Sequence, residues 1–307
     1  MDRNPLRLNP EVDSALAAHQ PVVALESTVI AHGLPRPHNL ETALRMEEQV
    51  RSQGAVPATI AVIEGEFHVG LTATQRELIA NQDDVRKLST RDLPIARARR
   101  WNGATTVAST IWIAHQAGLQ VFATGGIGGV HLGSLPDVSA DLPELARTPM
   151  IVVCSGAKIV LDLPATREWL ETHSITVAGY ECGELPAFYS RRSGLPVDVR
   201  CDAAAEVVEI FKAQRELGLQ SALLVTVPVP GDAEVDGDLL LRVLNESLTE
   251  AERQRITGRD VTPFLLARMA EQSEGATLRA NIALLENNAR VAAEIARALK
   301  DGLAPTV

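Results

Sequence analysis

Aromatic residues are scarce in this 307-residue chain, at 3% of positions. A core built around stacked rings is thereby excluded, and Ala, Val, Leu and Ile must fill the interior, as in helix-covered parallel sheets. Cysteine is nearly absent too: Cys154, Cys182 and Cys201 form no CxxC pair, and their odd number leaves no complete disulfide framework. That usage fits a reducing compartment. No apolar run approaches the roughly 18 to 20 residues of a membrane span, and Met1 to Val12 lacks the apolar stretch of a signal peptide. A soluble, cytoplasmic protein without a membrane partner is expected. Basic charge is in deficit, with 29 Lys and Arg against 39 Asp and Glu and a net charge of −10. This argues against a nucleic-acid polymer as partner, because such affinity comes from clustered cations. A small anionic substrate remains compatible, held by a few local cations, backbone N–H groups or a metal.

What the chain does contain is ample hydrophobic residue, 46%, with 22% charged, enough for a large core and too apolar for disorder. Short β-branched runs alternate with helical patterns, the mark of βαβ units and a mainly parallel sheet. Strands are expected at Val22 to Leu25, Thr59 to Ile63, Val121 to Thr124, Met150 to Val153, Ile175 to Ala178 and Ala222 to Val227. Helices are expected at about Leu40 to Arg51, Ala104 to Gln116, Ala165 to Thr172 and Ala203 to Leu217, with Gly118 capping the second. Ile63 to Leu71, centred on Glu64-Gly65-Glu66, reads as a hairpin, which makes the sheet mixed. After Pro230 strands cease. From Leu239 the pattern is helical, broken at Gly258 and Pro263, and ends in a long helix from Leu278 to Leu299. With no internal repeat or linker, residues 1–307 read as a single α/β domain with a helical C-terminal region packed on it.

Ligands of parallel sheets bind at the C-terminal strand ends, so the loops there matter most. The first strand runs into Glu26-Ser27-Thr28, a carboxylate at a strand end that serves as an acid if burial raises its pKa and is otherwise a solvated Glu near a turn. The Val121 strand opens into Thr124-Gly125-Gly126-Ile127-Gly128-Gly129-Val130-His131, whose glycines suit either a phosphate cradle or a tight, closely packed turn. It matches neither the dinucleotide nor the P-loop pattern. In Pro136-Asp137-Val138-Ser139-Ala140-Asp141, two carboxylates four residues apart with a hydroxyl between them suit a hard divalent cation or a helix N-cap. Cys154-Ser155-Gly156-Ala157-Lys158 sets a lysine just past a buried strand with apolar flanks, where desolvation frees an amine to attack carbonyl carbons. Lys87 lies in a mixed-charge stretch, a phosphate or ring-oxygen contact if it is not simply solvated, and Asn281 is a polar residue on an apolar helix face.

Taken in order, these segments resemble the pseudouridine-5′-phosphate glycosidase family, also known as indigoidine-synthase-A-like proteins. The resemblance runs through Ala24-Leu25-Glu26-Ser27-Thr28, Lys87-Leu88-Ser89, Gly103-Ala104-Thr105-Thr106-Val107, the glycine loop, Asp137-Val138-Ser139-Ala140-Asp141-Leu142 and Ser155-Gly156-Ala157-Lys158. It continues through Gly179-Tyr180, Pro186-Ala187-Phe188-Tyr189, Val227-Pro228-Val229-Pro230 and the Asn281 helix, nearly the whole chain. It implies an α/β/α fold, a homotrimer and a pseudouridylate synthase or glycosidase activity on pseudouridine 5′-phosphate, uracil and ribose 5-phosphate. It also implies Lys158 as nucleophile, Glu26 as proton donor and Asp137 as ligand of Mn²⁺, for which Mg²⁺ can substitute. Substrate contacts are implied for Lys87, Val107, Ser139, Ala140, Asp141 and Asn281.

The residue types suit that chemistry, because a base joined through carbon cannot leave as an N-glycoside does. A lysine adduct at C1′ offers another route, and the two-carboxylate mechanism of typical glycosidases is the wrong template. Two rivals keep the same residues: another lysine-dependent sugar-phosphate lyase or aldolase, and a non-catalytic sugar-phosphate-binding protein.

Overall fold

The computed structural model describes residues 5–132, 137–256 and 261–302. The N-terminal part comprises β1 (Leu6–Leu8), α1 (Pro10–Ala17), β2 (Val22–Leu25), α2 (His38–Ser52), β3 (Val56–Ile63), β4 (Glu66–Val69) and α3 (Ala73–Asn81). Next come β5 (Arg86–Leu88), α4 (Leu93–Arg99), β6 (Gly103–Thr105), α5 (Val107–Gln116), β7 (Val121–Ala123), β8 (Val130–His131) and α6 (Asp141–Leu145). The chain continues through β9 (Ile151–Cys154), β10 (Leu161–Asp162), α7 (Leu163–Thr172), β11 (Thr176–Tyr180), β12 (Val199–Cys201), α8 (Ala204–Glu216) and β13 (Leu223–Thr226). It closes with α9 (Gly237–Arg253), α10 (Val261–Gln272) and α11 (Ala276–Asp301).

The main sheet runs β1-β4-β3-β2-β7-β9-β13-β11-β12, with β6 and then β5 attached beside β3. From β3 to β12 every pair is parallel, while β4 and β6 pair antiparallel to β3. The mixed sheet therefore comes from the hairpin expected at Glu64-Gly65 and from β6. The central strands β2, β9 and β13 are buried at every residue, which is why they read as continuous apolar runs rather than as alternation. Helices cover both faces to make the three-layer α/β/α arrangement.

The last helix decides where the site falls. Helix α11 packs on β2, β7 and β9 between α2 and α8, and it buries Ala280, Asn281, Leu284, Leu285, Asn288, Ala289, Ala292 and Ala293 along one face. Small residues on that face bring its backbone close to the sheet. The few large ones, such as Leu284 and Leu285, each contribute about 1.5–3 kcal/mol on burial.

Two expectations need correction. The helix expected from Ala104 starts at Val107, because Gly103–Thr105 forms β6 against β3 and β5. Thr105 is held extended by donating its Oγ1 hydrogen to Ile60 O (2.7 Å) and its N–H to Ser27 Oγ (2.9 Å). Pro263 does not break a helix but lies in the first turn of α10, where no intrahelical N–H bond is required of it; Gly258 lies outside the described residues. The cap expected at Gly118 forms, with φ of +83° and an N–H bond to His115 O at 3.0 Å.

Candidate active site

Strands β2, β7 and β9 are parallel neighbours in register, pairing Leu25 with Ala123 and Ala123 with Val153. The residues that follow them, Glu26, Thr124 and the Ser155 loop, consequently emerge side by side at the C-terminal edge of the sheet. Above that edge lies a cavity of about 480 Å³. Glu26, Lys87, Val107, Asp137, Ser139, Ala140, Asp141, Lys158 and Asn281 all line it. Chain segments more than 250 positions apart in sequence are thus gathered around one volume.

Glu26 is 7% exposed and accepts a hydrogen bond from Thr124 Oγ1. Burial pushes its carboxyl above the usual range; the Lys158 charge and the Thr124 bond pull it back, Asp141 pushes it up and Lys87 pulls it down. Desolvation dominates, and the result is a carboxyl that keeps its proton to higher pH than a surface Glu. Lys158 is half-buried, with its N–H bonded to Ile127 O at 3.1 Å. It follows β9 closely enough to be fixed by the sheet, and its ammonium acts electrostatically on Glu26.

Asp141 is buried, and its two oxygens accept the backbone N–H groups of Ala108 (2.9 Å) and Gly128 (2.8 Å). It therefore caps the N-terminus of α5, not that of its own helix, and ties α5 to the glycine loop. Of the two carboxylates whose spacing suits a cation, Asp141 thus also carries a structural load, one backbone N–H on each oxygen. Asp137 is exposed at the cavity rim, and its carbonyl accepts His131 N–H at 2.8 Å. Among the described residues no group of three or more His, Cys, Asp or Glu is placed to hold a metal. Among the described residues Asp137 offers a carboxylate at the cavity rim, with Ser139 and Asp141 on the same cavity wall, oxygen donors that fit a hard divalent cation retaining most of its waters.

The glycines of the loop answer to packing. A Cβ at Gly128 would stand 2.1 Å from Ser139 Oγ and 2.8 Å from Asp141 Oδ2, and one at Gly126 would meet the Phe188 ring at 2.7 Å. The Gly128 N–H is taken by Asp141 and the Ile127 N–H by Gly156 O, which leaves less of the loop for an anion than the phosphate-cradle reading supposed. Ser139 closes the loop by donating its N–H to Gly129 O at 3.0 Å, and its Oγ accepts the Asp141 N–H at 3.3 Å.

Lys87 sits in β5, paired with β6, and so belongs to the sheet rather than to a solvated face. Val107 is the buried first residue of α5. Asn281 is 6% exposed, and its amide has no side-chain hydrogen bond among the described residues, a position that favours a ligand role for a buried polar group. The reading by residue passed over Thr124, Phe188 and Arg91, which share the cavity wall. Thr124 lies within the strand expected at Val121 to Thr124, and only the structure, where β7 ends at Ala123, places it after a strand as Glu26 is.

Fold and site together define an α/β protein of the strand-end cleft type, with a buried acid and a lysine facing one cavity. The chain belongs to the indigoidine synthase A like protein family, whose pattern matches residues 11–298. It is 53% identical over 296 residues to a pseudouridine-5′-phosphate glycosidase of Herpetosiphon aurantiacus, covering 96% of this chain and 98% of that protein. It is 49% identical to one of Geobacillus kaustophilus, again over 96% and 98%. Among solved structures it superposes on the prealnumycin C-glycosynthase AlnA in complex with ribulose 5-phosphate, with a TM-score of 0.89, 38% identity and 99% coverage of both chains.

Proposed function

We propose that this protein is a pseudouridine-5′-phosphate glycosidase that reversibly cleaves the carbon–carbon glycosidic bond to uracil and ribose 5-phosphate. The observation that carries the reading is the pairing of a buried, proton-retaining Glu26 with Lys158 across one cavity. Relatives about half identical over almost their whole length bear that name, and a structural neighbour was captured with a pentulose phosphate.

In this mechanism Glu26 donates its proton to the ribose ring oxygen as the C1′–O bond breaks and the ring opens, and the Lys158 nitrogen bonds to C1′. The proton lost by the lysine nitrogen as that bond forms restores Glu26, which then protonates uracil C5 as the C1′–C5 bond breaks, with the amine's electron pair forming the iminium. Water adds to the iminium, releasing ribose 5-phosphate and restoring the lysine. Lys87, Val107, the Ser139-Ala140-Asp141 segment and Asn281 hold the substrate, with Asp141 acting on it through the α5 N-terminus and the glycine loop it anchors. Asp137 holds Mn²⁺, or Mg²⁺ in its place, which when bound supplies Lewis-acid stabilisation of substrate oxygens. The chain acts as one domain, as a homotrimer in the cytoplasm; among the described residues no helix is long and apolar enough to cross a membrane.

Substrate comparison tests the reading. The purified protein with Mn²⁺ is expected to release uracil from pseudouridine 5′-phosphate but not from uridine 5′-phosphate. Release from both points to an ordinary N-glycosidase, and release from neither leaves the aldolase or sugar-phosphate-binding alternatives.

A further inference from the structure

We infer that Asn288 is a positioning residue that sets the acid and the lysine of the site relative to each other. The inference rests on the proposed reaction. Asn288 is fully buried on α11, seven positions after Asn281 and three after Leu285, both of which line the cavity, so the three share one helix face. Its Nδ2 donates to Thr124 O (2.9 Å) and meets Ser155 Oγ at 3.1 Å, while its Oδ1 lies 3.2 Å from the same hydroxyl. Thr124 and Ser155 are the first residues beyond β7 and β9. Thr124 Oγ1 donates to Glu26, and Ser155 begins the loop that carries Lys158.

A single side chain from the last helix thus bridges the strand end that orients the acid and the strand end that carries the nucleophile. Backbone bonds already tie the two strand ends, Thr124 N–H to Val153 O at 3.0 Å and Ser155 N–H to Gly125 O at 2.9 Å, and Asn288 braces that junction from the helix side by bonding both residues at once. Both the donor and the acceptor end of its amide are spent on these two strand ends. Glu26 is surrounded by Lys158, Asp141 and Lys87, and His32, His131, Arg91 and Asp137 also stand on the cavity wall. The bond from Thr124 favours the ionised form of Glu26. Displacing Thr124 therefore raises the pKa of the acid, and the high-pH limb of the activity profile moves to higher pH.

The test is kcat and its pH profile for Asn288→Ala, Thr124→Val, the double variant and Ser155→Ala, beside wild type, with uracil release from pseudouridine 5′-phosphate as readout. Asn288→Ala is expected to lower kcat about 10- to 100-fold and to move the high-pH limb upward as Thr124→Val does, with no additional limb shift in the double variant. Ser155→Ala, which leaves the bond to Thr124, is expected to slow trapping of the Lys158 adduct by borohydride while keeping the wild-type limb. If Asn288→Ala retains the wild-type limb, or if its limb shift adds to that of Thr124→Val, the positioning role is overturned and Asn288 serves stability alone. Should Asn288→Ala prove insoluble, Ser155→Ala decides: unchanged adduct trapping overturns the inference. A wild type that releases no uracil would instead sink the reaction on which the inference rests.

Discussion

The Asp141 carboxylate accepts the Gly128 N–H at 2.8 Å, with the Gly128 Cα packed so closely that a Cβ there would stand 2.1 Å from Ser139 Oγ. Asp141→Asn turns one of two acceptors toward a backbone donor, and the unpaired N–H is expected to cost about 1–3 kcal/mol. Gly128→Ala is expected to cost a similar amount, about 1–3 kcal/mol, through overpacking. Urea unfolding checks both, and a loss under ~0.5 kcal/mol in either would mean the loop is not held as described.

Glu26→Gln removes the proton donor and is expected to reduce turnover about 100-fold or more. The same change separates function from stability. Because burial raises the folded-state pKa of Glu26 above its ordinary 4.5, its contribution to stability is fully present below that value and is lost as pH rises through the raised pKa. Glu47 shifts the same way under burial, so the useful quantity is the Tm of Glu26→Gln minus that of wild type, which cancels the other groups. That difference is expected to become more positive from pH 4 toward neutrality, and a difference independent of pH would place Glu26 in contact with water.

Asp137 and Asp141 are expected to part company toward metal. Asp137→Asn should raise the Mn²⁺ concentration needed for half-maximal activity about tenfold or more with Tm unchanged. Asp141→Asn should lower Tm and leave the metal requirement of the remaining activity in place. Titration of chelator-treated protein with Mn²⁺, with melting curves alongside, measures both; equal metal responses would return Asp141 to the ligand set.

Much of this architecture was legible beforehand because it rests on local signals. Strand β2 spans the expected Val22 to Leu25, since a fully buried strand announces itself as an unbroken apolar run. The strand-end loops also stood out, their Glu, Gly, Asp and Lys residues being conspicuous against an aliphatic background. Strands β5 and β6 escaped notice because each has three residues, too few for any period to show. The Asp141 bond to Ala108 spans 33 positions and the Asn288 bond to Thr124 spans 164. A hydrogen bond of that span leaves no trace in either segment alone, so the sequence offers Asp141 as a cation ligand or a helix cap but not as the anchor of α5 and the glycine loop, and nothing in it marks Asn288.

The central claim is a covalent lysine route, and the most direct measurement is the mass of the protein after borohydride treatment in the presence of ribose 5-phosphate. The account predicts that wild type gains a reduced pentose-phosphate adduct mapped by peptide analysis to Lys158, and that Lys158→Ala gains none and releases no uracil from pseudouridine 5′-phosphate. An active Lys158→Ala variant, or an adduct on a different lysine, would contradict it.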